Sequence, residues 1–217
     1  MATPYLQIQV DETPSTQDLA RARLEELPVV VIARRQTAGR GRSGSAWMNA
    51  SRALAVSMAM VVPGEERPVS LMAGVAAVRA MSGVGLKWPN DLVVGSEKVG
   101  GILVERSDSG LVVGLGVNLW WPEPPDGIGA VYPEDPGENH HAELGALWAA
   151  ELMRLIDGEG WPRQEYRASC STLGREITWE PAGVGFAEDI GDDGSLIVET
   201  VEGRRNLHSG AVTHIRG

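Results

Sequence analysis

Alternation of apolar and polar positions defines the first elements of the chain. Residues 5–10 alternate with the period of a half-buried strand. Ser15 or Thr16 can then cap a helix that Pro28 ends, with three apolar side chains on one face: Ala20, Leu24 and Leu27. Residues 29–33 form an unbroken apolar run, which is typical of a buried strand. The pattern therefore predicts a strand, a helix and a second strand in that order.

The rest of the first 170 residues continues this mixture of strands and helices. The spacing of apolar residues predicts strands over 53–61, 86–88, 92–94, 99–105 and 111–119 and helices over 69–81 and 142–156. The apolar face of the 142–156 helix includes Leu147. One face of the 53–61 strand carries small side chains, so another group can approach it closely. Five prolines between Trp121 and Pro136 indicate an exposed connection. Residues 1–170 are therefore predicted to form one domain.

The pattern changes after residue 170 to short alternating strands. They are expected over 176–179, 184–188, 196–200, 204–207 and 212–215. Turn sequences separate them, such as Gly-Asp-Asp-Gly at 191–194. Residues 171–217 are therefore predicted to form a small all-β barrel as a second domain.

Composition and charge exclude several classes of function. The 217 residues include 19 Lys and Arg against 29 Asp and Glu, a formal net charge of −10. Binding to duplex DNA or to an anionic membrane is therefore not expected, and any anion must be met by a local cluster of cations. The single cysteine, Cys170, cannot form an internal disulfide and no leader opens the chain, so we expect a cytoplasmic protein. No apolar run approaches the ~20 residues that span a bilayer.

Residues 36–47 combine glycines, arginines and a terminal indole in the order Gln-Thr-Ala-Gly-Arg-Gly-Arg-Ser-Gly-Ser-Ala-Trp. The glycines let the backbone lie close to a ligand, and Arg40 and Arg42 carry fork-shaped cations suited to carboxylate or phosphate oxygens. An amide at Gln36 and an aromatic ring at Trp47 suit a hinged lid over a planar, polar ligand. The alternative is a flexible surface loop with solvated arginines. We interpret the segment as an anion-binding lid.

Two lysine-containing segments supply further candidate chemistry. The sequence Lys-Trp-Pro-Asn-Asp presents Asn90 and Asp91 at a strand end, although an ordinary polar turn accounts for it equally well. Lys98 precedes two glycines at the entry to an apolar strand. Its charge there can neutralise a carboxylate and stabilise phosphate charge as it develops, and the alternative is a solvated lysine in a hairpin.

The segment Gly-Leu-Gly-Val-Asn places glycines at two alternate positions, Gly114 and Gly116. One face of that strand is thereby cleared for a flat group, with Asn118 able to bond its edge. A β-bulge or close packing against a helix would use the same glycines. The segment alone therefore leaves both interpretations open.

Taken in order, these segments resemble the biotin protein ligases. The resemblance rests on Gln-Thr-Ala-Gly-Arg-Gly-Arg-x-Gly-x-x-Trp, Lys-Trp-Pro-Asn-Asp, Lys-Val-Gly-Gly-Ile-Leu-Val-Glu and Gly-Leu-Gly-Val-Asn, preceded by Ser-Thr-Gln at 15–17. It covers nearly the whole chain, mostly by pattern in the C-terminal part. It implies an α+β fold with a mixed central sheet and flanking helices, like that of class II aminoacyl-tRNA synthetases and of biotin and lipoate ligases. It also implies that the C-terminal unit is an SH3-like β-barrel.

The resemblance implies a two-step ligase that uses ATP and Mg²⁺ with biotin as substrate. Biotin carboxylate would attack the α-phosphate to give biotinyl-5′-AMP and pyrophosphate, and a lysine of a biotin carboxyl carrier domain would then displace AMP. Side-by-side pairing of β-strands could form a homodimer, and the sequence does not settle the oligomeric state. Regulatory members carry an N-terminal DNA-binding domain, and only fourteen residues precede Ser15 here, so a monofunctional ligase without DNA binding is expected.

The resemblance also assigns residue roles. Lys98 and Arg42 would be catalytic. Residues expected to bind biotin are Ser15, Thr16, Gln17, Gln36, Gly39, Arg40, Gly41, Arg42, Trp47, Lys98, Gly101, Gly114 and Gly116. Residues expected to bind the nucleotide are Arg40, Arg42, Asn90, Lys98 and Asn118. Asp91 would help to hold magnesium.

Two departures from the family pattern affect these roles. Ser45 and Ala46 stand where relatives often carry a basic residue before the last tryptophan of the loop, which leaves less positive charge over the adenylate. Gln17 replaces a frequent asparagine. Two rival functions stay open: a lipoate or octanoate protein ligase or transferase of the same fold, and a biotin-binding sensor without catalytic activity.

Overall fold

The structure is a computed structural model that describes residues 3–61, 67–107, 110–180, 183–210 and 212–215. Four helices lie between the strands: α1 (Thr16–Arg23), α2 (Val69–Ala80), α3 (His140–Asp157) and α4 (Arg163–Ser169). Seven strands form the larger sheet: β1 (Leu6–Thr13), β2 (Val29–Gln36), β3 (Arg52–Met60), β4 (Gly85–Lys87), β5 (Asp91–Val94), β6 (Glu97–Ser107) and β7 (Gly110–Trp120). Their order across the sheet is β1-β2-β3-β7-β6-β5-β4.

The larger sheet is mixed, as expected. β1 pairs with β2 in parallel because α1 carries the chain back across the sheet between them, and the other neighbours are antiparallel. The prediction of an α+β fold with a mixed central sheet and flanking helices is therefore confirmed.

The two faces of this sheet are covered differently. α2 and α3 pack on one face, where Trp148 is fully buried and donates from Nε1 to the Ala73 carbonyl at 3.1 Å. On the other face α1 covers a small apolar cluster that includes Ala20, Val31 and Ala59. Beyond that cluster the face carries the small side chains expected for β3, and Ser57 and the glycines of β7 border a cavity instead of a helix.

A second, antiparallel sheet follows α4. Its strands are β8 (Glu176–Trp179), β9 (Gly183–Ile190), β10 (Leu196–Thr200), β11 (Gly203–Leu207) and β12 (Val212–His214), in the order β11-β10-β9-β8-β12. Apolar residues of this sheet, such as Ile177 and Leu196, join the buried cluster beneath α2. Trp88 Nε1 also donates to the Gly194 carbonyl at 3.0 Å. The second sheet is thereby held against the end of the first sheet that carries the β4–β5 turn.

Three details differ from the predicted elements. α1 ends at Arg23, and Leu27 lies outside it with 49% of its surface exposed. Pro28 disfavours a helical conformation at Leu27, and the two preceding glutamates oppose the negative end of a helix dipole. Leu147 points outward from α3. α4 was not predicted, because seven residues with a single buried side chain give no readable period.

Within the described ranges, no helix is both long enough and apolar enough to cross a bilayer.

His214 connects β12 to the chain segment before β8. Its Nε2 lies 3.3 Å from Thr172 Oγ1. Burial, followed by the nearby charges of Lys87 and Arg175, lowers the pKa of His214 from 6.5 to about 4. Between these values the unfolded chain binds a proton and the folded chain does not, so this contribution to stability is present above pH 6.5 and is lost as the pH falls towards 4.

We therefore expect the melting temperature of the parent chain to fall more steeply between pH 6.5 and pH 4 than that of His214→Gln. Thermal unfolding followed by circular dichroism across this range measures the difference. His208→Gln is the control, because that imidazole is 69% exposed. Identical pH profiles for His214→Gln and the parent would contradict the assignment.

Candidate active site

The free part of the larger sheet forms the floor of a cavity of about 730 Å³. This volume is in the usual range for ligand sites. Of the residues predicted from the sequence, the cavity brings together Thr16, Gln17, Gln36, Arg40, Gly41, Arg42, Trp47, Asn90, Asp91, Lys98, Gly101, Gly114, Gly116 and Asn118. Ser15 and Gly39 lie behind its wall: Ser15 caps α1 by accepting from the Asp18 amide, and Gly39 packs against Gln36 and Trp47.

A hydrogen-bonded group at the start of α1 closes one end of the cavity. Thr16 donates from its backbone amide and its hydroxyl to Gln36 Oε1, at 2.8 and 3.0 Å. The Thr16 hydroxyl also lies 2.7 Å from Ser57 Oγ. Asn49 bonds both the amide and the carbonyl of Gln36. Gln36 is thus held by its oxygen, which leaves its side-chain NH₂ as the donating end.

Ser57 and Asn49 were not predicted from the sequence as members of this group. Ser57 could have been found, because it is the one polar side chain within the apolar run of β3. Asn49 gave no comparable signal, since asparagine is common in loops.

The two glycines of β7 make room for side chains of the protein itself. A Cβ at Gly114 would lie 3.0 Å from Gln17 Cδ, and one at Gly116 would lie 2.9 Å from the Trp47 ring. The Trp47 indole therefore rests on the strand at the position predicted for a flat ligand. Its Nε1 is buried and has no hydrogen-bond partner among the described residues. A ligand with an acceptor at this point would satisfy it.

The two arginines of the loop point to opposite sides of the cavity. Arg40 donates two hydrogen bonds of 2.7 Å to the Asp18 carboxylate, whereas Arg42 Nη1 donates to Asn90 Oδ1 at 2.8 Å. The bond to Asp18 raises the pKa of Arg40, and the Arg40 guanidinium lowers the pKa of Asp18. The Arg40 side chain thus has a partner other than the expected nucleotide. Its backbone contact with biotin stays a prediction.

The side chain of Lys98, on β6, extends towards Asp91 at the start of β5. Its Nζ is 2.5 Å from Asp91 Oδ1, and a Cβ at Gly101 would meet this amine at 3.8 Å. Within the described ranges, no group of three or more His, Cys, Asp or Glu side chains could hold a metal by itself. A single carboxylate suits Mg²⁺ that is carried mainly by nucleotide phosphates. Asp91 fits that role once Lys98 turns to the substrate, and the role stays a prediction.

The two asparagines predicted to bind the nucleotide differ in which of their side-chain atoms have hydrogen-bond partners. Asn90 Nδ2 donates to the Ile102 carbonyl and its Oδ1 accepts from Arg42, so both ends are used. Asn118 Nδ2 donates to the Gly129 carbonyl at 3.0 Å, but its Oδ1 is buried with no partner in the described part of the chain. Asn118 therefore offers an acceptor suited to an amino group of a base.

The second sheet contributes to the same cavity through Glu180, Gly210, Val212 and Thr213. Sequence analysis did not predict this, because no local pattern places residues after 171 beside the loop at 36–47. The lining holds four basic side chains, Arg40, Arg42, Lys87 and Lys98, against two acidic ones, Asp91 and Glu180. The acidic chain thus meets the expectation of a local cationic cluster.

The fold is that of biotin protein ligases. The structure of the biotin protein ligase from Aquifex aeolicus in complex with biotin and ATP superposes with a TM-score of 0.82 at 24% sequence identity, over 98% of this chain and 99% of that one. Residues 8–119 match the sequence profile of the biotin/lipoate A/B protein ligase family.

Curated relatives agree with this profile. The chain is 34% identical to the biotin–[acetyl-CoA-carboxylase] ligase of Mycobacterium tuberculosis, over 87% of this chain and 79% of that protein. It is 32% identical to the enzyme of the same name from Paracoccus denitrificans, over 84% and 88% of the two chains. The chain belongs to the biotin/lipoate A/B protein ligase family.

The packing of the Trp47 indole on β7 can be tested by adding a methyl group at Gly116. Gly116→Ala should destabilise the protein by about 1 kcal/mol or more, because its methyl group meets the indole. The cost should disappear in a Trp47→Ala background, which a double-mutant cycle of urea unfolding measures. Gly101→Ala is the control, since Gly101 pairs with Gly116 in register and its Cβ would meet no atom closer than 3.7 Å. An equal cost of Gly116→Ala in both backgrounds would show that the indole is not the neighbour.

Proposed function

We infer that the chain is an ATP-dependent biotin–protein ligase. It activates biotin as biotinyl-5′-AMP with release of pyrophosphate and transfers the biotinyl group to a protein lysine. The observation that carries this conclusion is a single cavity with a polar hydrogen-bonding group at Thr16 and Gln36 and two cations, Lys98 and Arg42, elsewhere in its lining.

The biotin end of the cavity is proposed to be the Thr16–Gln36–Ser57 group. A ureido ring presents one carbonyl acceptor and two N–H donors, so it needs partners of both kinds. The side-chain NH₂ of Gln36 can donate, and hydroxyl oxygens at Thr16 and Ser57 can accept. Trp47 and the glycine floor would enclose the apolar part of the ligand. A lipoyl or octanoyl chain has no ureido group and would offer no acceptor to the side-chain NH₂ of Gln36.

In the first step, a biotin carboxylate oxygen attacks the α-phosphorus of ATP, and the bond to the bridging oxygen of the β-phosphate breaks. Negative charge builds up on the phosphate oxygens during this exchange. Lys98 and Arg42, once turned from Asp91 and Asn90 to the phosphate, would stabilise this charge as it develops. Asp91 is the protein residue proposed to hold Mg²⁺, which would supply further charge neutralisation there.

In the second step, the uncharged amine of the acceptor lysine attacks the carboxyl carbon of the adenylate. The bond to the phosphate oxygen breaks, AMP leaves, and the amine gives up a proton as the amide forms. The enzyme itself carries no covalent intermediate. The mixed anhydride reacts with water, so closure of the loop over the cavity favours transfer over hydrolysis.

The acceptor is proposed to be a biotin carboxyl carrier domain, as the names of the two relatives imply. We also propose a cytoplasmic location, which the free, buried thiol of Cys170 supports. A homodimer is a further proposal, for which the open edge of β1 offers a pairing surface.

The finer description of the C-terminal unit is likewise a proposal. We propose that residues 171–217 form a domain of their own with an SH3-like barrel. Five short antiparallel strands and an irregular register between β9 and β10, of the kind that curves a sheet, support it. Residues 1–170 would then be the catalytic domain.

Biotin-dependent exchange of pyrophosphate into ATP tests the activity directly. The parent chain should catalyse it with biotin and not with lipoate. Biotin binding without exchange would instead identify a sensor that lacks catalysis. A higher melting temperature with lipoate than with biotin would identify the rival ligase.

Lys98→Ala should slow the exchange reaction about 100-fold or more, with a smaller effect on biotin affinity, because the charge matters most as phosphate charge develops. Lys87→Ala is the matched comparison, since Lys87 is the other lysine of the chain and lines the same cavity. Lys87→Ala should slow the exchange reaction less than Lys98→Ala does, because Lys98 and not Lys87 is paired with Asp91. Unchanged exchange kinetics in Lys98→Ala would remove this residue from its role.

A further inference from the structure

We propose that Asp18 is a positioning residue of the active site, which holds the loop at 36–47 over the ligand by binding the side chain of Arg40. This role rests on the proposed ligase function, since the ligand is the biotinyl-adenylate. Asp18 has no part in the chemistry assigned above, and it acts only through Arg40.

Asp18 and Arg40 belong to a cluster of four charges, which also includes Arg21 and Glu105 and is called here the α1 ion cluster. Arg40 makes two bonds of 2.7 Å to Asp18 and lies 3.6 Å from Glu105. Arg21 lies 3.2 Å from Asp18 and 2.6 Å from Glu105. Each carboxylate therefore faces both guanidinium groups. A bidentate salt bridge within such a network fixes the Arg40 side chain more firmly than an isolated surface ion pair would.

The cluster joins three elements that meet at the cavity. Asp18 lies on the first turn of α1, directly after the predicted biotin residues Thr16 and Gln17, and Glu105 lies on β6. Arg40 is the loop's contact with both. Without this contact, the loop would be held by the bond between Arg42 and Asn90 and, at its start, by the backbone bonds that Thr37 and Ala38 donate to the carbonyls of residues 13 and 14.

Fixing Arg40 also fixes the indole on the cavity floor. Arg40 pairs with Ala46 across the loop in an isolated antiparallel bridge, and the Trp47 amide donates to the Gly39 carbonyl at 2.9 Å. The two ends of the loop therefore move together. Because glycines flank Arg40, the backbone alone restricts this segment little. Release of Arg40 from Asp18 would allow Gly39, Ala46 and Trp47 to lift together.

A purely structural role for the pair predicts a different outcome. α1 is already held by the bonds of Thr16 to Gln36 and Ser57 and by the apolar cluster around Ala20. Loss of the Asp18 charge leaves these contacts intact and leaves the helix cap at Ser15 in place. Loop closure should therefore change while the stability of the fold changes little.

The test compares Asp18→Asn with Glu12→Gln. Glu12 is the matched control because it pairs with Arg35 through a single bond of 3.1 Å at the edge of the same sheet, outside the cavity lining. Trypsin cleavage after Arg40 and Arg42 in the free protein, mapped by mass spectrometry, reports opening of the loop. The half-life of enzyme-bound biotinyl-5′-AMP reports its consequence, and the melting temperature reports the fold.

For Asp18→Asn we expect about fivefold faster cleavage and an about fivefold shorter adenylate half-life, with a melting temperature close to that of Glu12→Gln. Arg40→Gln removes the cleavage site at residue 40, so this variant and the double variant are compared by cleavage after Arg42. Cleavage there and the adenylate half-life should change as in Asp18→Asn, and the double variant should add nothing, since both substitutions remove one contact. Glu12→Gln should behave as the parent in all three measurements.

Parent-like cleavage and half-life in Asp18→Asn would overturn the proposal. A fall in melting temperature that accompanies and accounts for both changes would overturn it too, because the pair would then be structural. Failure of the ligase function has a different signature: the parent would form no adenylate, and the cleavage of the free protein would still decide whether Asp18 holds the loop.

Discussion

The absence of two side chains from the middle of β7 is the constraint on which the site depends. Gly114 and Gly116 face the cavity, while the residues between and beside them point into the core against α2 and α3. Gln17 and Trp47 approach to about 3 Å of where the missing Cβ atoms would be. The first turn of α1 and the end of the loop can therefore converge on one strand. The same alternation that builds the core on one face opens the cavity on the other.

The second organising feature is the way an acidic chain holds the cations of the cavity with partners of its own. Arg40 binds Asp18, Arg42 binds Asn90, and Lys98 binds Asp91. The partner of Arg42 is neutral, so its proposed role at the phosphate requires the exchange of a hydrogen bond and not of an ion pair. Lys98 has an anionic partner, so its proposed catalytic role requires that it exchange the Asp91 carboxylate for the substrate.

Local patterns were sufficient for most of the fold. The bounds predicted for β8 and β10 match the structure, because short strands between strong turn sequences leave few alternatives. The glycines of β7 were correctly associated with close approach, but their neighbours turned out to be Gln17 and Trp47. The pairing of Asp18 with Arg40 and the contribution of Thr213 to the cavity were not predictable, since both depend on how separate elements pack. Lys98 and Arg42 could be proposed as catalytic residues only from the complete motifs, because an isolated lysine or arginine is usually solvated.

The central claim is that one cavity both activates biotin and delivers it to a protein lysine. The most direct measurement is the intact mass of a biotin carboxyl carrier domain after incubation with the protein, ATP, Mg²⁺ and biotin. The mass should increase by one biotinyl group at a single lysine, and the increase should require ATP and should not occur when lipoate replaces biotin. An unmodified carrier domain in the presence of active exchange, or modification by lipoate instead of biotin, would contradict it.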